Sequence, residues 1–169
     1  MTPEQAKFLL DSVYLPQINM ERGATRRVIE AIPADKSGYK PDPSAKSALD
    51  LAWHLATAEC FFLNSVASGE FVFNPPPPAP ATPREILAWY DENAPKATAA
   101  AAAASPENLA KVMDFRGLFK VPSVMFLGFM VNHGVHHRGQ LSTYLRPMGA
   151  KCPSIYGPSA DTPVQQASA

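Results

Sequence analysis

The chain has 169 residues, with Lys+Arg and Asp+Glu both at 15 and a formal net charge of zero. That is enough length for one domain with a real core, and no break in composition argues for a second. No basic stripe runs along any segment, so nucleic acid is not expected as a partner.

The opening MTPEQAKFLLDSV mixes acids and a lysine where a secretory signal needs a basic start and an unbroken apolar run. The strongly apolar stretch 121–131 is far short of the roughly twenty residues that cross a bilayer. Cys60 and Cys152 form no CxxC pair. A cytoplasmic protein without a membrane span or a disulfide framework is expected.

Thr2, Pro3 and Glu4 open a helix: a capping hydroxyl, a proline in the first turn and an acid at the positive end of the dipole. Apolar residues from Phe8 to Ile32 recur at helical spacing and predict a first helix to about Ala31, bent at Pro16 and stopped by Pro33. After a loop rich in proline, Pro43 or Ser44 opens a second helix with the stripe Leu49, Ala52, Trp53, Ala56, Cys60 and Leu63. His54 sits inside that stripe, and Asp50, four residues earlier, shares its face. Gly69 ends this helix.

Residues 70–83 include four consecutive prolines. In a polyproline II conformation, at about 3.1 Å per residue, they span about 40 Å, the length of a helix of roughly 25 residues. Such a strap can carry the chain from one end of a bundle to the other, so the second and third helices are expected to run parallel. This reading is preferred to an SH3-type ligand, because the adjoining Arg84 already belongs to the next helix start. Thr82, Pro83, Arg84 and Glu85 repeat the start signal for a third helix. A kink is expected at 93–95, with the alanine run either continuing the helix or forming its low-complexity tail. Around Gly117 the pattern allows a small hairpin or an irregular loop. The fourth helix is expected from about Pro122 to Leu145, broken by Pro147 and Gly149, with a tail that packs through Ile155 and Tyr156 and then frays.

Three of the four histidines lie within five positions of the fourth helix. His133 and His137 are i and i+4, on one face. His136 is turned about 100° from His137, so these neighbours do not easily serve one ion. Four long helices with a histidine on the second and an i,i+4 pair on the fourth are what a bundle-core metal site requires. Three neutral imidazoles suit Zn²⁺, Ni²⁺ or Fe²⁺ and leave a position for water or substrate. Gly134 stands where HEXXH proteases carry glutamate, which disfavours protease-type chemistry. For a proton acceptor the nearest carboxylates in sequence are Asp50 and Glu59, although Glu59 points about 140° away from His54 on an ideal helix. Both are expected to be solvated or to hold an imidazole N–H rather than to act in catalysis. Gln140 and Tyr144 continue the face of His137 toward the pocket, and Arg138 is expected to pair with an acid on a neighbouring helix.

LAWHLATAE, NHGVHHRGQLSTYLR and PSIYGPSAD together resemble the DinB/YfiT-like superfamily of metal-dependent enzymes over nearly the whole chain. The resemblance implies an all-α four-helix bundle in up-down-down-up order with a long proline-rich crossover between helices two and three. One domain over 1–169, with a core of about 2–149 and a tail of 150–169, is expected. It also implies His54, His133 and His137 as the metal ligands, with His136 outside. Members of the superfamily include thiol S-transferases that use bacillithiol, mycothiol or glutathione, a thiol-dependent isomerase, and hydrolases. The expectation is a thiol S-transferase-like metalloenzyme acting on a small molecule with a low-molecular-weight thiol co-substrate. Its rivals are a metal-dependent hydrolase and a non-enzymatic metal-binding bundle. A homodimer is compatible with the family.

Overall fold

Thr2 starts the first helix with a reciprocal cap: its hydroxyl accepts from Gln5 N–H while the Gln5 side chain accepts from Thr2 N–H. The computed structural model describes residues 1–163, so the fraying expected of 164–169 lies outside the described residues. Helix α1 (Pro3–Leu9) passes through a π-helical turn (Leu10–Tyr14) into α2 (Leu15–Glu30). Pro16 follows that turn directly. There Leu15 N–H reaches back to Leu10 O, and the wider ring eases the carbonyl clash that a proline imposes on the preceding turn.

Helix α3 (Ala48–Ser68) begins three to four residues later than the sequence suggested, because Ser47 is the cap. Its hydroxyl accepts from Asp50 N–H and donates to the Asp50 carboxylate at 2.7 Å, whereas Ser44 N–H is engaged with Asp42 at 2.8 Å. Helix α4 (Pro83–Ala102) opens with the Thr82–Glu85 capping box. Pro95 lies inside it without ending it, and the alanine run is helical to Ala102. A short α5 (Pro106–Ala110) leads to two antiparallel strands, β1 (Val112–Phe115) and β2 (Phe119–Pro122), with Phe115 opposite Phe119. The open question at Gly117 therefore resolves as a hairpin, whose tip residues Arg116 and Gly117 both have positive φ. A 3₁₀ turn over Ser123–Met125 then leads into α6 (Phe126–Leu145).

The fold is mostly helical, with this one small sheet among the described residues. Helix α3 packs against both α4 and α6, and α2 packs against the same two. Trp53, early in α3, meets Trp89, early in α4, edge to face at 4.7 Å. At the other end Asn108, just past α4, donates to the Val66 and Ala67 carbonyls that close α3. Tyr90 is fully buried and donates to Glu59, which also takes an ion pair from Arg22 at 3.0 Å. No helix of the described residues is long and apolar enough to cross a membrane.

Gly69 closes α3 in the left-handed region, at φ 77°, with Asn108 Oδ1 1.9 Å from where a Cβ would stand. Replacing Gly69 by Ala adds the left-handed penalty and pushes Asn108 off two carbonyls, an expected loss of about 2–3 kcal/mol. Denaturant unfolding of Gly69→Ala beside Asn108→Ala checks this: the glycine variant should be the less stable of the two.

Candidate metal centre

His54 projects from the first third of α3, while His133 and His137 project from one face of α6. Helix α6 therefore supplies two rings by its own periodicity, and packing against α3 supplies the third. His54 Nε2 stands 3.0 Å from His133 Nε2. The ring centroids of His54 lie 4.8 Å from those of both His133 and His137, and the latter two are 4.4 Å apart. One nitrogen from each ring can be chosen so that all three lie within 4.8 Å of one another.

All three rings are half-buried. Burial pushes the His133 imidazole down to about 4, helped by its His137 and His54 neighbours. His54 is lowered by burial, by His137 and by Lys46, and His137 is lowered mainly by burial. The rings are therefore neutral near pH 7, as metal ligation by imidazole requires. Two Nε2 atoms about 3 Å apart match ligands held at roughly 2.0–2.1 Å from one ion. The donor set fits a divalent metal.

Behind His137 the structure shows an orienting chain. His137 Nδ1 is 3.0 Å from Gln140 Oε1, and the Gln140 amide nitrogen donates to the Tyr144 hydroxyl at 3.2 Å. An amide oxygen only accepts, so Nδ1 carries the hydrogen and Nε2 keeps its lone pair. The two residues that continue the His137 face are thus tied to its ring. His136 is exposed on the outside of α6, its ring 4.8 Å from that of His137.

The two acids have other partners. The Asp50 carboxylate accepts from the hydroxyl of Ser47, the residue that caps α3 by accepting from Asp50 N–H. Glu59 is held by Arg22 and Tyr90, as its angular distance from His54 requires. Together with Glu21 and Arg138 it lines a cavity of about 30 Å³ that His133 also borders. Arg138 is 1% exposed and pairs with Glu21 on α2. The Tyr156 hydroxyl from the tail meets the same pair.

His54 also lines two openings: a pocket of about 350 Å³ with Lys40, Lys46 and Asp50, and a groove of about 700 Å³ bounded by the proline strap and the hairpin tip. Sequence reasoning missed the groove walls. The signal available was the aromatic content of FVF and DFRGLF on either side of α4.

The DinB family model matches residues 5–167. The chain belongs to the DinB family. This DinB-family chain is 30% identical over 132 residues to YjoA of Bacillus subtilis (strain 168), an uncharacterized protein, with 76% of this chain and 84% of YjoA covered. Among solved structures, a DinB-like protein from Bacillus cereus ATCC 10987 superposes with a TM-score of 0.71 at 23% identity, covering 85% of this chain and 95% of the other. The crystal structure of Bacillus subtilis YjoA itself gives a TM-score of 0.69 at 24% identity, with 84% and 96% covered. Both show that the chain has the DinB-like fold.

In the metal-free DinB-family protein, the unfolded chain takes up a proton on His133 below pH 6.5, which the folded ring refuses until about pH 4. Its contribution is thus fully present above the ordinary imidazole pKa and is lost as pH falls through about 4. Thermal melts of metal-free protein should show the melting temperature dropping across that window. An NMR titration should place the His133 ring midpoint at its lower end; a midpoint near 6.5 would contradict the neutral donor set.

Proposed function

We propose that this protein is a metal-dependent enzyme of the thiol S-transferase type, with His54, His133 and His137 holding one zinc, nickel or iron ion. The observation that carries the reading is the convergence of three neutral imidazoles from two helices at a point where His54 borders open space. A bound divalent ion would lower the pKa of a thiol and so supply a thiolate near neutral pH. The chain's own groups keep the lone pairs uncharged and aimed. Gln140 and Tyr144 fix the His137 tautomer. Lys40 and Lys46, in the smaller pocket beside His54, place positive charge where the carboxylates of a low-molecular-weight thiol would lie.

Hydrolysis would need a proton acceptor beside the site. No carboxylate joins the three histidines among the described residues: Glu59 is held by Arg22 and Tyr90, and Asp50, which lines the smaller pocket with His54, accepts from Ser47. That favours the transferase reading. The same proposal takes the chain as one DinB-like domain, with its long helices as a bundle in up-down-down-up order. Three contacts support that order: Trp53 meets Trp89 start to start, Phe126 at the start of α6 packs 4.8 Å from Phe71 just past the end of α3, and Arg26 on α2 pairs with Asp91 on α4. A cytoplasmic setting is in keeping with the two free cysteines.

Elemental analysis should find close to one divalent ion per wild-type chain and almost none in His54→Ala; unchanged metal content in that variant would sink the three-histidine site. Metal-loaded protein given a thiol panel and a generic electrophile should consume thiol faster than the apo protein, and equal rates would overturn the transferase assignment. Gln140→Ala frees the His137 ring and should weaken metal affinity about 10–100-fold, readable by competition with a chromogenic chelator.

A further inference from the structure

The groove of about 700 Å³ starts at His54 and follows one face of α3 through Thr57, Ala58, Phe61 and Asn64 to Ser68. At 1.5 Å per residue that is about 20 Å of length. Its far wall is built from chain segments distant in sequence: the strap at Phe73 and Pro76, Trp89 of α4, and Phe115 with Arg116 at the hairpin tip.

The rings form a continuous lining. Phe73 lies 5.7 Å from Phe61 and 5.6 Å from Phe115, and Phe62 stacks on Phe115 at 5.9 Å. Arg116 holds a left-handed backbone at φ 55°, with its guanidinium 4.2 Å over the Phe73 ring, so the tip is fastened to the strap at this wall. Glu70 and Arg116 are of opposite sign, and burial pushes the Cys60 thiol up to about 12, which keeps it uncharged. The groove therefore offers aromatic surface over most of its length and no net charge, in contrast to the lysine-bearing pocket on the other side of His54. Its volume lies within the roughly 300–1,000 Å³ typical of small-molecule sites.

We propose that this groove binds an uncharged, elongated aromatic compound as the second substrate, oriented so that its reacting end reaches His54. Aromatic walls and a run of about 20 Å favour ring-bearing molecules that lie along α3, and the end at His54 brings one terminus to that imidazole. Assigning the occupant as substrate rests on the metalloenzyme reading; its binding does not, because apart from His54 at one end the aromatic walls are Phe61, Phe62, Phe73, Trp89 and Phe115.

The test is fluorescence titration with N-phenyl-1-naphthylamine, a neutral two-ring probe, on wild type and three variants of the full chain. Wild type should bind saturably. Ala58→Phe and Asn64→Trp fill the groove from α3 and should each bind about tenfold more weakly; Asn64 is exposed, so that variant keeps the fold if Ala58→Phe does not. His137→Ala, whose ring does not line the groove, should keep its affinity for the probe while losing metal. Absence of saturable binding to wild type, or unchanged affinity in Asn64→Trp, would overturn the groove assignment. Normal probe binding together with no metal in wild type would instead leave the groove standing and remove the enzyme reading.

Discussion

Two imidazole nitrogens 3.0 Å apart, in rings held neutral by burial, can share one hydrogen at most. That contact requires the axial position of α3 against α6 to be held, because a slip of one helical turn, about 5.4 Å, would part the rings. Since α6 carries two rings by its own repeat, the burden of placement falls on α3. Both ends of α3 are accordingly fixed: Ser47 and Asp50 at the start, the left-handed backbone of Gly69 and the Asn108 side chain at the finish.

Around the centre Glu21, Arg138 and Glu59 are held in pairs, while Lys46 places positive charge near His54 and His137. Arg138 follows His137 directly, yet points away and is buried in a pair with Glu21 that Tyr156 completes. Removing one charged partner of a buried pair costs about 3–5 kcal/mol, and the exposed Tyr156 adds its hydroxyl to this one from the tail. Glu59 is similarly engaged by Arg22 and Tyr90. The donor set stays all-nitrogen because the acids have other partners: Glu59 has Arg22 and Tyr90, Glu21 has Arg138, and Asp50 has Ser47.

Much of this was legible in the residues. Thr2, Thr82 and Gly69 marked helix ends because capping is local chemistry, and the i,i+4 pair followed from helical geometry alone. His54 needed the family resemblance, since one histidine in an apolar stripe does not reveal what it faces. The partners of Asp50 and Glu59 were not legible. Asp50 was decided by competition between Ser44 and Ser47 for the cap, and Glu59 by residues 31 and 37 positions away. The hairpin tip hid for a different reason: Gly117 announces positive φ, but Arg116 carries no such mark. The groove is assembled from α3, the strap, α4 and the hairpin, and no single stretch carries its pattern.

The strap is fastened by a hydrogen bond from Trp53 Nε1 to the Pro77 carbonyl at 3.0 Å. Its four prolines have no backbone N–H groups that need partners, so what it must preserve is span and stiffness rather than particular side chains. Mutations on its inner face would then alter the wall of the groove while leaving the imidazoles, their tautomers and the α3–α6 register untouched. Chemistry and selectivity in such a scaffold can drift on separate clocks, with one metal-binding frame diversified by changes in a segment that folds around it.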